Sequence, residues 1–180
     1  MLIAEKLRKT NRAEYLLYMW QVEDLLRSYD CDAERVKTDY LSRFQADEPT
    51  REKLSVWYAD LCTMMLGEGL REQGHLQINR NVLQEFEELH TRLLKSGKFP
   101  YYREMYYRVL PYIVELRAKG RPAEETELQT CFEALYGVLM LRLKRVEISA
   151  ETDKAMKDIS AMLGQLSDYY NKEAAGELEC

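Results

Sequence analysis

Little in this chain interrupts a helix. Only 8 Gly and 4 Pro punctuate 180 residues, and the β-branched residues Val and Ile are scarce beside Leu. Few β-branched side chains means little of the usual material of sheets, and few Gly and Pro means few enforced stops. The four cysteines, Cys31, Cys62, Cys131 and Cys180, form no CxxC pair, which excludes zinc-ribbon and thioredoxin-type sites. There is no Gly-x-Gly-x-x-Gly and no P-loop, so neither familiar nucleotide motif is present. Nucleophilic catalysis has no local signature, and only 2 His are available as base. The longest apolar-rich run, residues 131–143, contains Glu133 and Arg142 and is too short and too polar to span a bilayer. The opening Met-Leu-Ile-Ala-Glu-Lys places charges where a signal peptide needs an apolar run. A net charge of −5 argues against a globally basic nucleic-acid binder. These absences predict a soluble, cytoplasmic protein in a reducing compartment, with no membrane contact and no cofactor.

What is present is apolar material at helical spacing. Hydrophobic residues make up 46% of the chain, enough for a sizeable core. Seven helical segments are predicted, over about 3–29, 33–45, 50–72, from 75 or 79 to 95, 100–119, 122–146 and 149–174. The first carries an irregularity near Thr10-Asn11. Asp32 and Ser149 are placed as N-caps, Glu48-Pro49 and Pro122 as starts, and Gly74, Ser96-Gly97 and Gly120 as stops. The connections are short and no linker appears. The fold class is therefore all-α, a single compact bundle of six or seven helices, mostly antiparallel neighbours. Residues 1–175 form one domain and 176–180 a frayed tail. Cys62 and Cys131 are expected as small core residues.

Two Glu-x-x-His runs, Glu72-Gln-Gly-His75 and Glu87-Glu-Leu-His90, have the spacing that two-iron bundles use. Gly74 breaks the first, so no metal site is expected. The prediction is a core-edge His90 and a solvent-facing His75. The fifth segment holds Tyr101, Tyr102, Tyr106, Tyr107 and Tyr112. Between Lys95 and Arg121 there are seven Lys or Arg against Glu104 and Glu115, a local balance of +5 (7 − 2). Such a stretch can grip phosphates and stack bases. Its plainer reading is a buried stripe with ion pairs to neighbouring helices. Pro111 is expected to kink it.

In the first segment Tyr15, Tyr18, Met19, Val22, Leu25, Leu26 and Tyr29 form one apolar face. Leu16 and Trp20 widen it, so Glu14, Gln21 and Glu23 lie at or near packed surface and need partners. Glu133 makes the same demand inside an apolar run, and an arginine of the fifth helix is its expected partner. Were these groups to converge, Glu14, Tyr18, Gln21, Tyr102, Arg103, Tyr106, Arg108 and Glu133 would line a polar ligand pocket between helices one and five. Scattered rim positions, each with a local partner, are the favoured expectation.

The stretch Asn11-Arg-Ala-Glu-Tyr-Leu-Leu-Tyr-Met-Trp-Gln-Val-Glu-Asp-Leu25, after an Ala4-Glu-Lys start, resembles the opening of a bacterial, Bacteroidetes-type family of unknown function. The resemblance implies a cytoplasmic, all-helical protein of about this length and carries over no catalytic residue. The expected function is contact with protein, as a homodimer or with another partner, because several helix faces look apolar beyond the needs of one core. The alternative is a small anionic ligand held in the polar pocket, as binder or enzyme. Single-stranded nucleic acid ranks last.

Overall fold

The computed structural model of the chain describes residues 3–119 and 125–178, and every regular element among them is helical. In order they are α1 (Ile3–Thr10), α2 (Arg12–Ser28), α3 (Ala33–Arg35), α4 (Glu48–Gly67), α5 (Gln77–Ser96), α6 (Pro100–Ala118), α7 (Glu127–Leu143) and α8 (Ala150–Ala174). The chain is all-α, as its composition implies. The predicted stop at Gly120, the start at Pro122 with Glu124, and Cys180 lie outside the described residues.

Several boundaries differ from expectation for local reasons. The first segment is two helices because Asn11 acts as a cap, its side-chain oxygen accepting from the Glu14 N–H at 3.1 Å. Segment 33–45 keeps only one α-helical turn. Val36–Tyr40 is π-helical and Leu41–Arg43 is 3₁₀, with the Leu41 N–H on the Val36 carbonyl. An α-helix would set residues 36 and 41 on different faces, whereas the wider turn lets both bury, each at 1% exposure. α4 starts under the Asp47 cap and ends at Gly67, five residues early. There Gly69 takes a left-handed conformation (φ 70°) and the Leu70 N–H reaches the Met65 carbonyl. α7 starts at Glu127 under the Thr126 cap, and α8 starts under the predicted Ser149 cap. α6 runs unbroken through Pro111.

Two compact units divide the residues. The first takes Met1–Lys6 and Tyr18–Asn81, the second Leu7–Leu17 and Val82–Cys180. The core of the first contains Trp20, Leu26, Val36, Leu41, Tyr58, Leu61, Met65 and Leu76. Cys31 and Cys62 are buried in it. In the second, α6, α7 and α8 pack on one another. α6 contributes Tyr102, Met105, Val109 and Ile113, a stripe at helical spacing. α8 contributes Met156, Ile159, Leu163 and Leu166, and α7 contributes Leu128, Cys131 and Phe132.

Candidate functional site

Of the sequence-predicted site residues, Tyr102 and Tyr106 meet at His90, and the others stand elsewhere. Tyr18 and Gln21 belong to the first unit. Glu14, Tyr102, Arg103, Tyr106, Arg108 and Glu133 belong to the second. Tyr18 joins a tyrosine cluster with Tyr40 and Tyr58, and burial followed by the neighbouring Tyr40 pushes its pKa up. Burial acts on Tyr58 in the same direction and more strongly. Gln21 is half-buried and Glu14 exposed. Arg103 donates to the Leu94 carbonyl at 2.8 Å and Arg108 to Glu104 at 2.9 Å. Glu133 accepts from Gln129 at 3.2 Å.

Tyr102 is fully buried, and its hydroxyl lies 2.6 Å from Nδ1 of His90. The Tyr102 and Tyr106 rings meet His90 edge-on, at 5.7 and 5.2 Å between centroids. Tyr106 donates its hydroxyl to Glu127 at 2.9 Å. Burial lowers the His90 pKa, and Glu127 partly opposes this. Burial raises Tyr102, and burial followed by the hydrogen bond to Glu127 pushes Tyr106 up to about 12. Cys131, also buried, is pushed up to about 12. A thiol held so far from its thiolate is a core residue and a poor nucleophile at neutral pH.

The first unit contains a polar centre that the sequence reading did not nominate. Glu23 is fully buried and its carboxylate is surrounded by donors. Oε1 accepts the Leu76 N–H at 2.9 Å and the Asn79 amide at 2.6 Å, while Nδ1 of His75 lies 2.6 Å from Oε2. His75 stacks on Trp20 with ring centroids 4.1 Å apart. The expected solvent-facing His75 is thus corrected: its side chain is only 29% exposed. Arg27 of α2 donates to the carbonyls of Leu70, at 3.2 Å, and Gly74, and so fixes the loop that delivers His75. The carboxylate sits at the first turn of α5, where a negative charge is favoured by the helix dipole. A signal existed in the sequence. Glu23 stands four after Met19 and three before Leu26, inside the buried stripe.

Two of the concavities carry charged side chains on their walls. One, of about 670 Å³, is lined by Glu5 of α1 and by Lys53, Val56, Trp57 and Asp60 of α4, among others. Glu5, Glu52 and Asp60 outweigh Lys53 there, a field that repels anions. The other, about 210 Å³, lies beside Glu85, Arg92, Tyr170 and Glu173. Tyr170 donates to Glu85 at 2.7 Å, and Arg12 donates to both. Arg92 pairs with Glu173 there, and Arg12 with Glu85. Among the described residues no cluster of His, Cys, Asp or Glu could hold a metal. Among the same residues no helix is long and apolar enough to cross a membrane.

The outer face of α6 is different. Opposite the buried stripe, Tyr107 is 61% and Val114 60% exposed. Pro111 and Ala118, also exposed, fall in line with them. The positions 107, 111, 114 and 118 are spaced i, i+4, i+7, i+11, a continuous helical stripe. Along one flank run Glu104 and Arg108, paired at 2.9 Å, then Glu115 and Lys119, paired at 2.6 Å. A second apolar group, Leu141, Leu143 and Val146, is exposed at the end of α7. Among the described residues of the second unit these are extended runs of exposed apolar side chain.

Residues 1–177 match the family described as Domain of unknown function (DUF4924), and the chain belongs to that family. No curated protein matches it, and no solved structure does.

Proposed function

For this member of a family of unknown function, we propose that the chain acts by protein–protein contact, as a cytoplasmic module of a bacterial cell, through the outer face of α6. One observation carries the reading: Tyr107 and Val114 are each about three-fifths exposed on a stripe whose opposite side is the core of the unit. Aromatic and aliphatic side chains in line, rimmed by charges on one flank, have the composition of an interface centre and its polar rim. The ligand alternative has less support. Arg103 and Arg108 already donate to groups of the chain itself, and the larger concavity is dominated by carboxylates.

The test is site-specific photo-crosslinking in the native cell. A photoreactive aromatic residue at position 107 or 114 should give a discrete crosslinked protein species. The same residue at Ile78, exposed on α5, is the control. Crosslinking at 107 and 114 no stronger than at 78 would remove the reading.

A further inference from the structure

We infer that the partner of the α6 face is a second copy of this chain, docked antiparallel along α6 about a twofold axis that passes between the two helices at the level of the bond between Pro111 and Tyr112. This rests on the reading of the α6 face as a contact surface, and the charges on its flank select the partner. Glu104 and Lys119 are equidistant from that point, and so are Arg108 and Glu115. At a rise of 1.5 Å per residue the first two lie about 11 Å from the axis, on either side, and the second two about 5 Å. An antiparallel second copy therefore brings its Lys119 level with Glu104 and its Glu115 level with Arg108. The twofold repeats both pairings.

The flanks meet correctly as well. At 100° per residue the four charges lie on the same side of the stripe formed by Tyr107, Pro111, Val114 and Ala118. A twofold axis perpendicular to two antiparallel helices sets that flank of one helix against the same flank of the other. All four charges are exposed and their intrahelical pairs are open to solvent, so each can also reach across. Pairs of this kind contribute little to affinity and much to register. On the opposite flank, Arg103 and Arg117 donate to the carbonyls of Leu94 and Glu125, which holds their charge against their own chain.

The apolar stripe interleaves in the same register. Tyr107 of one copy falls between the levels of Val114 and Ala118 of the other, a large residue between two smaller ones. The two Pro111 rings sit beside the axis and have no N–H to desolvate. A parallel arrangement about a twofold would instead put the charged flanks of the two helices on opposite sides of the contact, where the four charges do not meet their counterparts. A single helix pair falls at or below the roughly 1,200 Å² of stable interfaces, so the dimer is a weak one that exchanges readily.

The experiment is sedimentation velocity at about 100 µM chain, a concentration suited to a weak interface, in low salt. The wild type is compared with Arg108→Glu, with Glu115→Arg, and with an equal mixture of the two variants. The wild type should sediment toward twice the 21.3 kDa of the chain. Each variant alone creates two repulsive contacts and should weaken association at least about tenfold. The mixture should recover it, because the mixed dimer restores both opposite-charge contacts. A monomeric wild type, a dimer indifferent to both variants, or variants that stay apart when mixed would each overturn the proposal. A position-107 crosslink to a different protein would also overturn it while leaving the contact function standing, whereas no crosslink would remove both.

Discussion

His75 and His90 each stand three residues after a glutamate, yet one meets a buried carboxylate from another helix and the other a buried phenol. In neither case is the glutamate of the Glu-x-x-His run the partner. Glu72 is exposed, and Glu87 accepts from the Thr126 hydroxyl. His75 reaches Glu23 of α2 at 2.6 Å, and His90 reaches Tyr102 of α6 at the same distance. Spacing along a helix shows which residues share a face. It does not show what the neighbouring element brings to them. The centre at His75 gathers donors around one carboxylate at a helix start, and the centre at His90 joins two groups that burial keeps neutral. The first should therefore be much the more sensitive to loss of its partner.

Glu23→Ala breaks that contrast most severely. It removes the acceptor for the Leu76 N–H and the Asn79 amide and leaves both donors buried. The expected loss is about 3–5 kcal/mol of unfolding free energy in urea. Glu23→Gln, which keeps one acceptor but turns an N–H₂ toward the remaining donors, should fall between. A loss under about 1 kcal/mol for Glu23→Ala would mean that the carboxylate is dispensable and the two centres are alike.

Tyr102→Phe probes the other side of the comparison. It deletes one hydroxyl in a site that stays filled by the ring, so the expected loss is about 1–1.5 kcal/mol. If this variant proved as damaging as Glu23→Ala, the neutral pair would be the true keystone of its unit.

Much of this was legible in sequence, though unevenly. The helices from Pro100, Ser149 and Glu48-Pro49 were marked by proline and by a capping side chain, which act within one turn and need no knowledge of the fold. The burial of Cys62, Cys131 and the α6 stripe followed from spacing. The wide turn at Val36–Tyr40 was not legible, because it serves to bury Val36 and Leu41 together, a demand of packing. The placement of His75 was missed for a related reason. Gly74 correctly ends helical structure, but Arg27, far away in sequence, holds the loop and turns His75 onto Trp20. Glu23 lay inside the α2 stripe in plain sight, while its donors are all more than fifty residues away. Several of the polar residues grouped as one pocket answer their demand locally, Arg103 at Leu94 and Glu133 at Gln129.

The subtlest difference between the two centres is their response to acid. Burial holds the His90 pKa below its ordinary 6.5 in the folded protein, so the unfolded chain takes up the proton first. Stability contributed by neutral His90 is fully present above pH 6.5 and is lost as pH falls through the folded value. His90→Gln removes that dependence while keeping a polar group opposite the Tyr102 hydroxyl. The measurement is urea unfolding at pH 7.5 and pH 5 for both proteins. The wild-type advantage over His90→Gln should shrink on acidification, since only the wild type then has a histidine to charge at that position. An advantage that stayed constant or grew would mean that His90 is protonated in the fold, and that both histidines rest against negative charge after all.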